Sequence, residues 1–397
     1  MLMLADFAFA QTWTQTSAPS NGGWYGIASS ADGTKLVAVN VSGSIYTSTN
    51  SGATWTPSSA PTGKQWQGVA SSADGTKFVA ADANGNGIFS STNSGLTWIS
   101  NSVPSQYWWF VASSADGTNL VAVTGIGGGP IYTSTNSGRS WNKTSAPSNY
   151  WSSVASSADG TKLAAVQLGD NNYPINFGGF IYTSTNSGTT WQTNDAPFQI
   201  WESIASSADG TKLIAGGRAI GFNTVYGIYT STNSGATWIS NSVSKYIFDV
   251  SSVAISADGG KMVAVNFVPN GVLPPGFSSI YTSTDSGFTW QTNNAPATNW
   301  QAVASSADGS KLVAVTWGGG IWISQTTPSP KLNLTPFATN LTLAWTIPST
   351  NFGLQQSADL TSWADVTNPP VLNLTNLQNQ VTLAPSNSSR FYRLKTP

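Results

Sequence analysis

The chain of 397 residues has no cysteine and no histidine, and only 8% of its residues are charged. The first two absences exclude disulfides, thiol chemistry, imidazole bases and Cys/His metal sites. With 15 basic and 16 acidic residues, the net charge of −1 gives no basic surface for nucleic acid or an anionic membrane. No apolar run is long enough to span a bilayer. We therefore expect a monomer with no transmembrane segment and no cofactor.

The first ten residues are mostly apolar and end in Ala8-Phe9-Ala10, which fits the small-x-small pattern of a secretory cleavage site. A basic start is missing, so a short frayed terminus is the alternative. We interpret residues 1–10 as the remnant of a signal peptide, and we expect a secreted protein, either periplasmic or extracellular.

A repeat organises most of the chain. The string Ser-Ala-Asp-Gly occurs seven times, at spacings of 42, 42, 43, 50, 49 and 50 residues, with its Asp at 32, 74, 116, 159, 209, 258 and 308. Each copy lies between two short segments rich in Val, Ile, Tyr, Thr and Trp, and a third and a fourth segment follow. Asp-Gly between such segments predicts a hairpin, because Gly supplies positive φ. Four strands in each period of this length are typical of a propeller blade.

The two ends of the repeat predict a closed ring. The last unit, 300–324, has only three strands, whereas Thr12–Pro19 matches the fourth strand of the first unit, Thr54–Pro61. The sequence therefore predicts an all-β fold in which residues 11–327 form a seven-bladed β-propeller closed by the N-terminal strand. Closure removes most of the edge that an open array would expose.

The C-terminal part predicts a second domain. Pro328-Ser-Pro330 indicates a linker at 328–330. Short strand-like runs in 331–397 favour a small, fibronectin-like β-sandwich. The runs Gly353–Trp363 and Arg390–Leu394 resemble a C-terminal module of secreted proteins from environmental bacteria, which implies a role in sorting or spacing.

The turn between the third and fourth strands, Ser48-Thr-Asn-Ser-Gly-Ala-Thr-Trp55, resembles the Asp-box (BNR-like) repeat of sialidases and other propellers. Five further copies end at Trp98, Trp141, Trp191, Trp238 and Trp290. The resemblance implies a sialidase-superfamily-like fold, with a polar side chain holding each hairpin and a Trp packed beneath it. Because the motif also occurs in xyloglucanases, sortilin-type receptors and photosystem assembly factors, it implies little about function.

One face of the predicted propeller is a candidate binding surface. The second-to-third-strand loops lie there and are long in blades 4, 5 and 6, at 168–179, 216–227 and 267–279. Variable loops on a rigid scaffold are typical of binding sites, although neutral drift is the alternative. The candidate ligand-binding residues from these loops are Arg218, Tyr173, Phe177, Phe222, Tyr226, Phe267 and Phe277.

A set of tryptophans is a second candidate. Six blades place a Trp three residues before the Val or Ile of the innermost strand, at 24, 66, 108, 151, 201 and 300. We expect these rings to surround the axial opening, and Trp151 and Trp201 join the ligand-binding candidates because flat apolar rings suit sugars. The alternative is that each ring packs between neighbouring blades.

Carboxylates outside the repeat consensus concentrate on the same face, and they are the runner-up catalytic candidates Asp170, Asp195, Glu202 and Asp249. Two of them could flank a glycosidic bond as acid and base, whereas solvated loop charges are the alternative. The sialidase resemblance does not extend to catalysis, because that family uses three arginines. Arg139 lies inside an Asp-box turn, which leaves Arg218 alone. Xyloglucanases need only acids, but they build their cleft from two propellers.

The segment Asp82-Ala-Asn84-Gly-Asn86-Gly87 matches the opening of a calcium loop. The position that should supply a bidentate Glu is Asn93, so Asp82, Asn84 and Asn86 form only a weak metal candidate. A Gly/Asn hairpin turn is the preferred interpretation.

These patterns together predict a secreted, non-enzymatic propeller that recognises a glycan or an extracellular protein through the loop face of blades 4–6. A glycoside hydrolase that uses the loop carboxylates is the first alternative. An assembly or adhesion scaffold resembling the photosystem assembly factors is the second.

Overall fold

The computed structural model describes residues 13–395 except 21, 86, 126, 170–177, 219–226, 242–248, 268–279, 294, 297, 326–331, 338–339, 347–352, 360, 374, 376–377 and 385–389. The predicted signal remnant and the predicted linker lie outside these residues. Within the described part, every regular element is a β-strand. No helix there has the length and apolar character needed to cross a membrane.

Residues 13–325 form seven four-stranded antiparallel sheets, numbered here in chain order of their inner strands. Sheet 1 contains β2 (Trp24–Ser29), β3 (Leu36–Asn40), β4 (Ile45–Ser48) and β5 (Thr56–Pro57), and sheet 2 contains β6 (Trp66–Ser71), β7 (Phe78–Asp82), β8 (Gly87–Ser91) and β9 (Ile99–Ser100). Sheet 3 contains β10 (Trp108–Ser113), β11 (Leu120–Thr124), β12 (Ile131–Ser134) and β13 (Asn142–Lys143). Sheet 4 contains β14 (Tyr150–Ser156), β15 (Leu163–Gly169), β16 (Ile181–Ser184) and β17 (Gln192–Thr193).

Sheet 5 contains β18 (Ile200–Ser206), β19 (Leu213–Arg218), β20 (Gly227–Ser231) and β21 (Ile239–Asn241). Sheet 6 contains β22 (Val250–Ile255), β23 (Met262–Asn266), β24 (Ile280–Ser283) and β25 (Gln291–Thr292). Sheet 7 contains β26 (Trp300–Ser305), β27 (Lys311–Thr316), β28 (Ile321–Gln325) and β1 (Trp13–Gln15). Repeated four-stranded sheets in an all-β chain confirm that part of the sequence prediction. Sheet 7 takes its fourth strand from the N-terminal segment, since Trp13 pairs with Ser324 and Gln15 pairs with Trp322.

Neighbouring sheets are joined by backbone hydrogen bonds at the Ser-Ala-Asp-Gly turns. The N–H of Ala31 donates to the carbonyl of Ala73 at 2.8 Å, and the same bond recurs from each turn to the next. The series runs through Ala31, Ala73, Ala115, Ala158, Ala208, Ala257 and Ala307, and the N–H of Ala307 donates to the carbonyl of Ala31 at 2.7 Å. The hydrogen bonds therefore return to the turn at which they start. We call these seven residues the alanine ring.

Lysine side chains add a second link between the same turns. Lys35 Nζ donates to the carbonyl of Asp74 at 3.0 Å, and Lys77 Nζ donates to that of Asp116 at 2.8 Å. Within each turn the aspartate accepts from its own neighbours, as Asp159 does from Ser157 Oγ at 2.6 Å. These hydrogen bonds hold the pKa of Asp159 below its usual value despite partial burial.

The turns that lead into the fourth strands are held by side chains. In sheet 4, Ser184 Oγ accepts from Gly188 N at 2.9 Å, and Asn186 Oδ1 accepts from Thr190 N at 2.9 Å. Ser187 has a φ of +56°, which costs energy in a residue with a Cβ. Trp191 Nε1 donates to the carbonyl of Gly188 at 3.1 Å, so the indole lies against the same turn.

The described residues of 332–395 form two further sheets. One has the order β29 (Asn333–Phe337), β30 (Asn340–Thr346), β34 (Gln378–Leu383) and β33 (Val371–Asn373), and the other has the order β32 (Ala364–Asp365), β31 (Gly353–Ser357) and β35 (Phe391–Lys395). Leu343, Trp345 and Val381 from the first sheet and Leu354 from the second share one buried cluster. Two sheets with a common core are the arrangement of a β-sandwich.

Candidate functional site

Two faces of the repeated sheets differ in chemistry. The Ser-Ala-Asp-Gly turns and the turns before the fourth strands lie on one side, which we call the turn face. The ends of the second strands, the starts of the third strands and the starts of the inner strands lie on the other side, the loop face. Each inner strand begins at the loop face and ends at the turn face.

Every inner strand carries a register shift just after it begins. In sheet 1, Trp24 pairs with Asn40 and Gly26 pairs with Val39, so that Tyr25 is an extra residue in the ladder. Such a bulge redirects one side chain and is common beside binding sites. The corresponding residues in sheets 1 to 7, which we call the bulge residues, are Tyr25, Gln67, Trp109, Ser152, Glu202, Ser251 and Gln301.

Three aromatic rings meet at this end of the inner strands. The ring of Tyr25 lies edge-on to Trp109 at 6.3 Å and edge-on to Trp317 at 6.2 Å, and these residues belong to sheets 1, 3 and 7. Trp109 lies over Gly125, where an added Cβ would come within 2.7 Å of its ring. Trp317 remains 46% exposed. We call these three rings the aromatic wall.

Three ionisable residues, Glu202, Arg218 and Asp249, lie together, and Glu202 is near Tyr25 of the aromatic wall. Arg218 Nε lies 3.5 Å from Glu202 Oε1, and both side chains are half-buried. Burial, followed by the nearby Asp249, raises the pKa of Glu202 to about 8, while Arg218 opposes the shift. Burial raises the pKa of Asp249 to about 6, again against Arg218. Burial and then the charge of Glu202 raise the pKa of Tyr25 to about 12, which places the carboxyl near that phenol.

These six residues form the candidate site, which we call the axial mouth: Tyr25, Trp109, Glu202, Arg218, Asp249 and Trp317. At neutral pH, Glu202 holds a proton and can donate a hydrogen bond, whereas Asp249 and Arg218 carry opposite charges. The site thus presents apolar ring surface beside a nearly neutral polar group.

The predicted tryptophan ring is core, not lining. Trp151 is 1% exposed and Trp201 is 0% exposed, and the other four are equally buried. Trp201 packs in one cluster with Val166 and Ile181 of the preceding sheet, and Trp151 Nε1 donates to the carbonyl of Gly129 at 2.9 Å. The expectation that these rings surround the axial opening is wrong. The hydrophobic effect favours their burial between neighbouring sheets. The residue that follows each tryptophan lies at the bulge instead.

The remaining predicted residues fall into three groups. Phe267 is half-buried and its N–H donates to the carbonyl of Asp249 at 2.9 Å, so it adjoins the charged group. Asp195 is exposed in the segment after β17. The others lie outside the described residues and stay predictions: Asp170, Tyr173, Phe177, Phe222, Tyr226 and Phe277.

Asp82 serves its own turn. Its Oδ1 accepts from the N–H groups of Gln65 and Asn84, each at 3.0 Å, and Lys64 Nζ lies 3.6 Å from Oδ2. Asn86 lies outside the described residues. In the part of the chain that the structure describes, no cluster of three or more Asp, Glu, His or Cys residues is placed to hold a metal ion.

Sequence reasoning missed Tyr25, Trp109 and Trp317. A signal was present, since the residue that follows the first core residue of each inner strand changes from repeat to repeat: Tyr, Gln, Trp, Ser, Glu, Ser and Gln. The next position varies as well, whereas each strand then continues into the same Ser-Ala-Asp-Gly string. Phe180 and Phe198 were missed as well; they form an exposed edge-to-face pair at 5.3 Å on the loop face of sheets 4 and 5.

No protein-family model and no curated protein matches this chain. Among solved structures it is similar to YCF48 bound to D1 peptide, with a TM-score of 0.58 and 15% identity over 81% of this chain and 98% of that one. It is also similar to YCF48 from Cyanidioschyzon merolae, with a TM-score of 0.57 and 17% identity over 80% and 98%. The hydrazine synthase of Kuenenia stuttgartiensis gives a TM-score of 0.60 and 14% identity over 79% and 97%. These similarities support a propeller-type fold.

Proposed function

We propose that this chain is a secreted, non-enzymatic binding propeller of seven blades, closed by β1, that recognises a glycan or an extracellular protein segment at the axial mouth. The observation that carries the proposal is the bulge, which recurs in every inner strand and holds a side chain that varies from sheet to sheet.

Two observations support closure of the ring. The hydrogen bonds of the alanine ring return to Ala31 after seven steps. In addition, the N-terminal strand β1 pairs with β28 as the outer strand of sheet 7. A closed ring would give the axial mouth a rigid frame, so that little conformational entropy is lost when a partner binds.

The axial mouth offers the contacts of a weak, selective binding site. Aromatic stacking contributes about 0.5–1.5 kcal/mol per contact beyond area burial, and the partly exposed Trp317 is the most accessible ring of the aromatic wall. Protonated Glu202 supplies a donor, and Asp249 and Arg218 supply an acceptor and further donors. Two or three such contacts suffice for affinity in the micromolar range or weaker. A propeller-type relative in fold, YCF48, has been solved with a D1 peptide, which makes peptides a second arm of the test beside glycans.

The test screens the full chain against a glycan array and a peptide array, then compares three variants with the best ligand of either array. Trp317→Ala and Trp109→Ala should each weaken binding severalfold. Leu96→Ala removes an apolar side chain that is 74% exposed on the turn face, so it should leave affinity unchanged. Equal loss in all three variants, or loss only with Leu96→Ala, would place recognition away from the axial mouth.

Glycoside hydrolysis is the second candidate, because Glu202 and Asp249 have pKa values pushed apart by one environment. A raised carboxyl beside a more acidic one is the division that a general acid and its partner require. Assays on β-glucans and sialosides decide the matter. Under the binding proposal, the parent chain hydrolyses none of these substrates. Hydrolysis by the parent that is lost in Glu202→Gln would contradict the binding proposal and favour a glycoside hydrolase.

A further inference from the structure

The end of the axis at the turn face holds a cavity of about 170 Å³. Serines near the ends of the inner strands and all seven members of the alanine ring line it. We call the alanines and serines around the opening of this cavity its rim. Because their side chains are small, another apolar side chain can approach the backbone there closely.

Leu372 of β33 meets this rim. It packs in one cluster with Ala257, Ala307, Ala31 and Ala73, which are four consecutive members of the alanine ring from sheets 6, 7, 1 and 2. Ala115, Ala158 and Ala208 are not part of that cluster. The contact is therefore directed to one side of the ring.

Chain connectivity fits the same arrangement. β28 runs toward the turn face and ends at Gln325, beside Gly33 and Lys311 of the turns. The sandwich begins within a few residues, since β29 starts at Asn333. Seven intervening residues span at most about 25 Å, so the sandwich is confined to the turn-face side.

We infer that the C-terminal sandwich docks on the turn face through Leu372 and the rim alanines of sheets 6, 7, 1 and 2, and is a fixed cap at that end of the axis. The turn face near the axis is then an intramolecular interface, and the loop face is left for partners.

The absence of native cysteine makes the test direct, because any disulfide reports only the introduced pair. Leu372→Cys is combined in the full chain with Cys at Ala257, Ala307, Ala31 or Ala73 in turn, and linkage is read by non-reducing gel and peptide mass spectrometry. Disulfides need Cβ atoms about 3.8 Å apart, so we expect at least one of the four pairs to link almost completely.

Two matched controls define the contact. Leu372→Cys with Ala158→Cys uses an equivalent ring position outside the cluster, and Val371→Cys with Ala31→Cys uses the 68% exposed neighbour of Leu372. Both should link at least tenfold less. Linkage at Ala158 as efficient as at the best rim position indicates a freely tethered sandwich and overturns the inference, as does the failure of all four rim pairs in variants that melt like the parent.

A second measurement does not depend on cysteine. Leu372→Glu places a charge on the alanine rim and should release the cap, because an unpaired charge is costly against apolar groups. Small-angle X-ray scattering should then show a larger radius of gyration than the parent. An unchanged radius would contradict docking through this side chain.

Discussion

Ionisation of Glu202 should make the protein less stable as pH rises. In the folded state this carboxyl has a pKa of about 8, against an ordinary value of 4.5. The folded protein therefore keeps a proton that the unfolded chain has lost, and the free energy of unfolding falls between pH 4.5 and pH 8. At 1.36 kcal/mol for each pH unit, the loss has a ceiling of about 5 kcal/mol.

Glu202→Gln tests this directly, since the amide keeps the shape of the protonated acid and cannot ionise. Urea unfolding of parent and variant from pH 5 to pH 9 should give similar free energies at pH 5. By pH 8.5 the variant should be more stable than the parent by several kcal/mol. Asp195→Asn is the matched control, because that carboxyl is exposed on the loop face, and its profile should run parallel to the parent's. Parallel profiles for Glu202→Gln would refute the raised pKa of this half-buried carboxyl.

Two further predictions concern the frame. Removal of residues 11–20 takes away β1 and leaves the edge of β28 unpaired, so the melting temperature should fall or the protein should aggregate; an unchanged melting curve would show that β1 adds no stability. Trp191→Ala removes a partly buried indole and its hydrogen bond to Gly188, which should lower the free energy of unfolding by about 3 kcal/mol. Ligand affinity of the folded fraction should not change, and a loss of affinity at equal stability would move the binding site to the turn face.

The repeated four-stranded sheets could be predicted from the sequence because several independent patterns indicate the same repeating unit. Short β-rich runs, Asp-Gly hairpins and the matching segments at Thr12–Pro19 and Thr54–Pro61 all require the same unit. The β1–β28 pairing agrees with that match. The strand and hairpin patterns depend on residues close in the chain, and the segment match depends only on comparing two stretches of sequence, so both can be read without coordinates.

The candidate site was harder to predict, because its geometry depends on register. Trp108 and Trp109 are adjacent and identical in type, yet one is buried and the other lies in the aromatic wall. A bulge decides between them, and a bulge arises from the pairing of two strands, not from the propensity of either residue. Trp317 follows β27 in the last sheet, and it contacts Tyr25 in the first sheet. The spacing of the repeats alone does not reveal this contact.

The bulge position combines a fixed strand pairing with a variable side chain. Gly26 cannot take a side chain, since its Cβ would lie 2.6 Å from the carbonyl oxygen of Gln67, and Trp24 is locked in the core. Tyr25 between them packs instead against Trp109 and Trp317. Seven such positions already hold five different residue types in one chain. The same backbone position therefore carries aromatic, amide, hydroxyl and carboxylate side chains, so that one repeated strand pairing presents different chemistry from sheet to sheet.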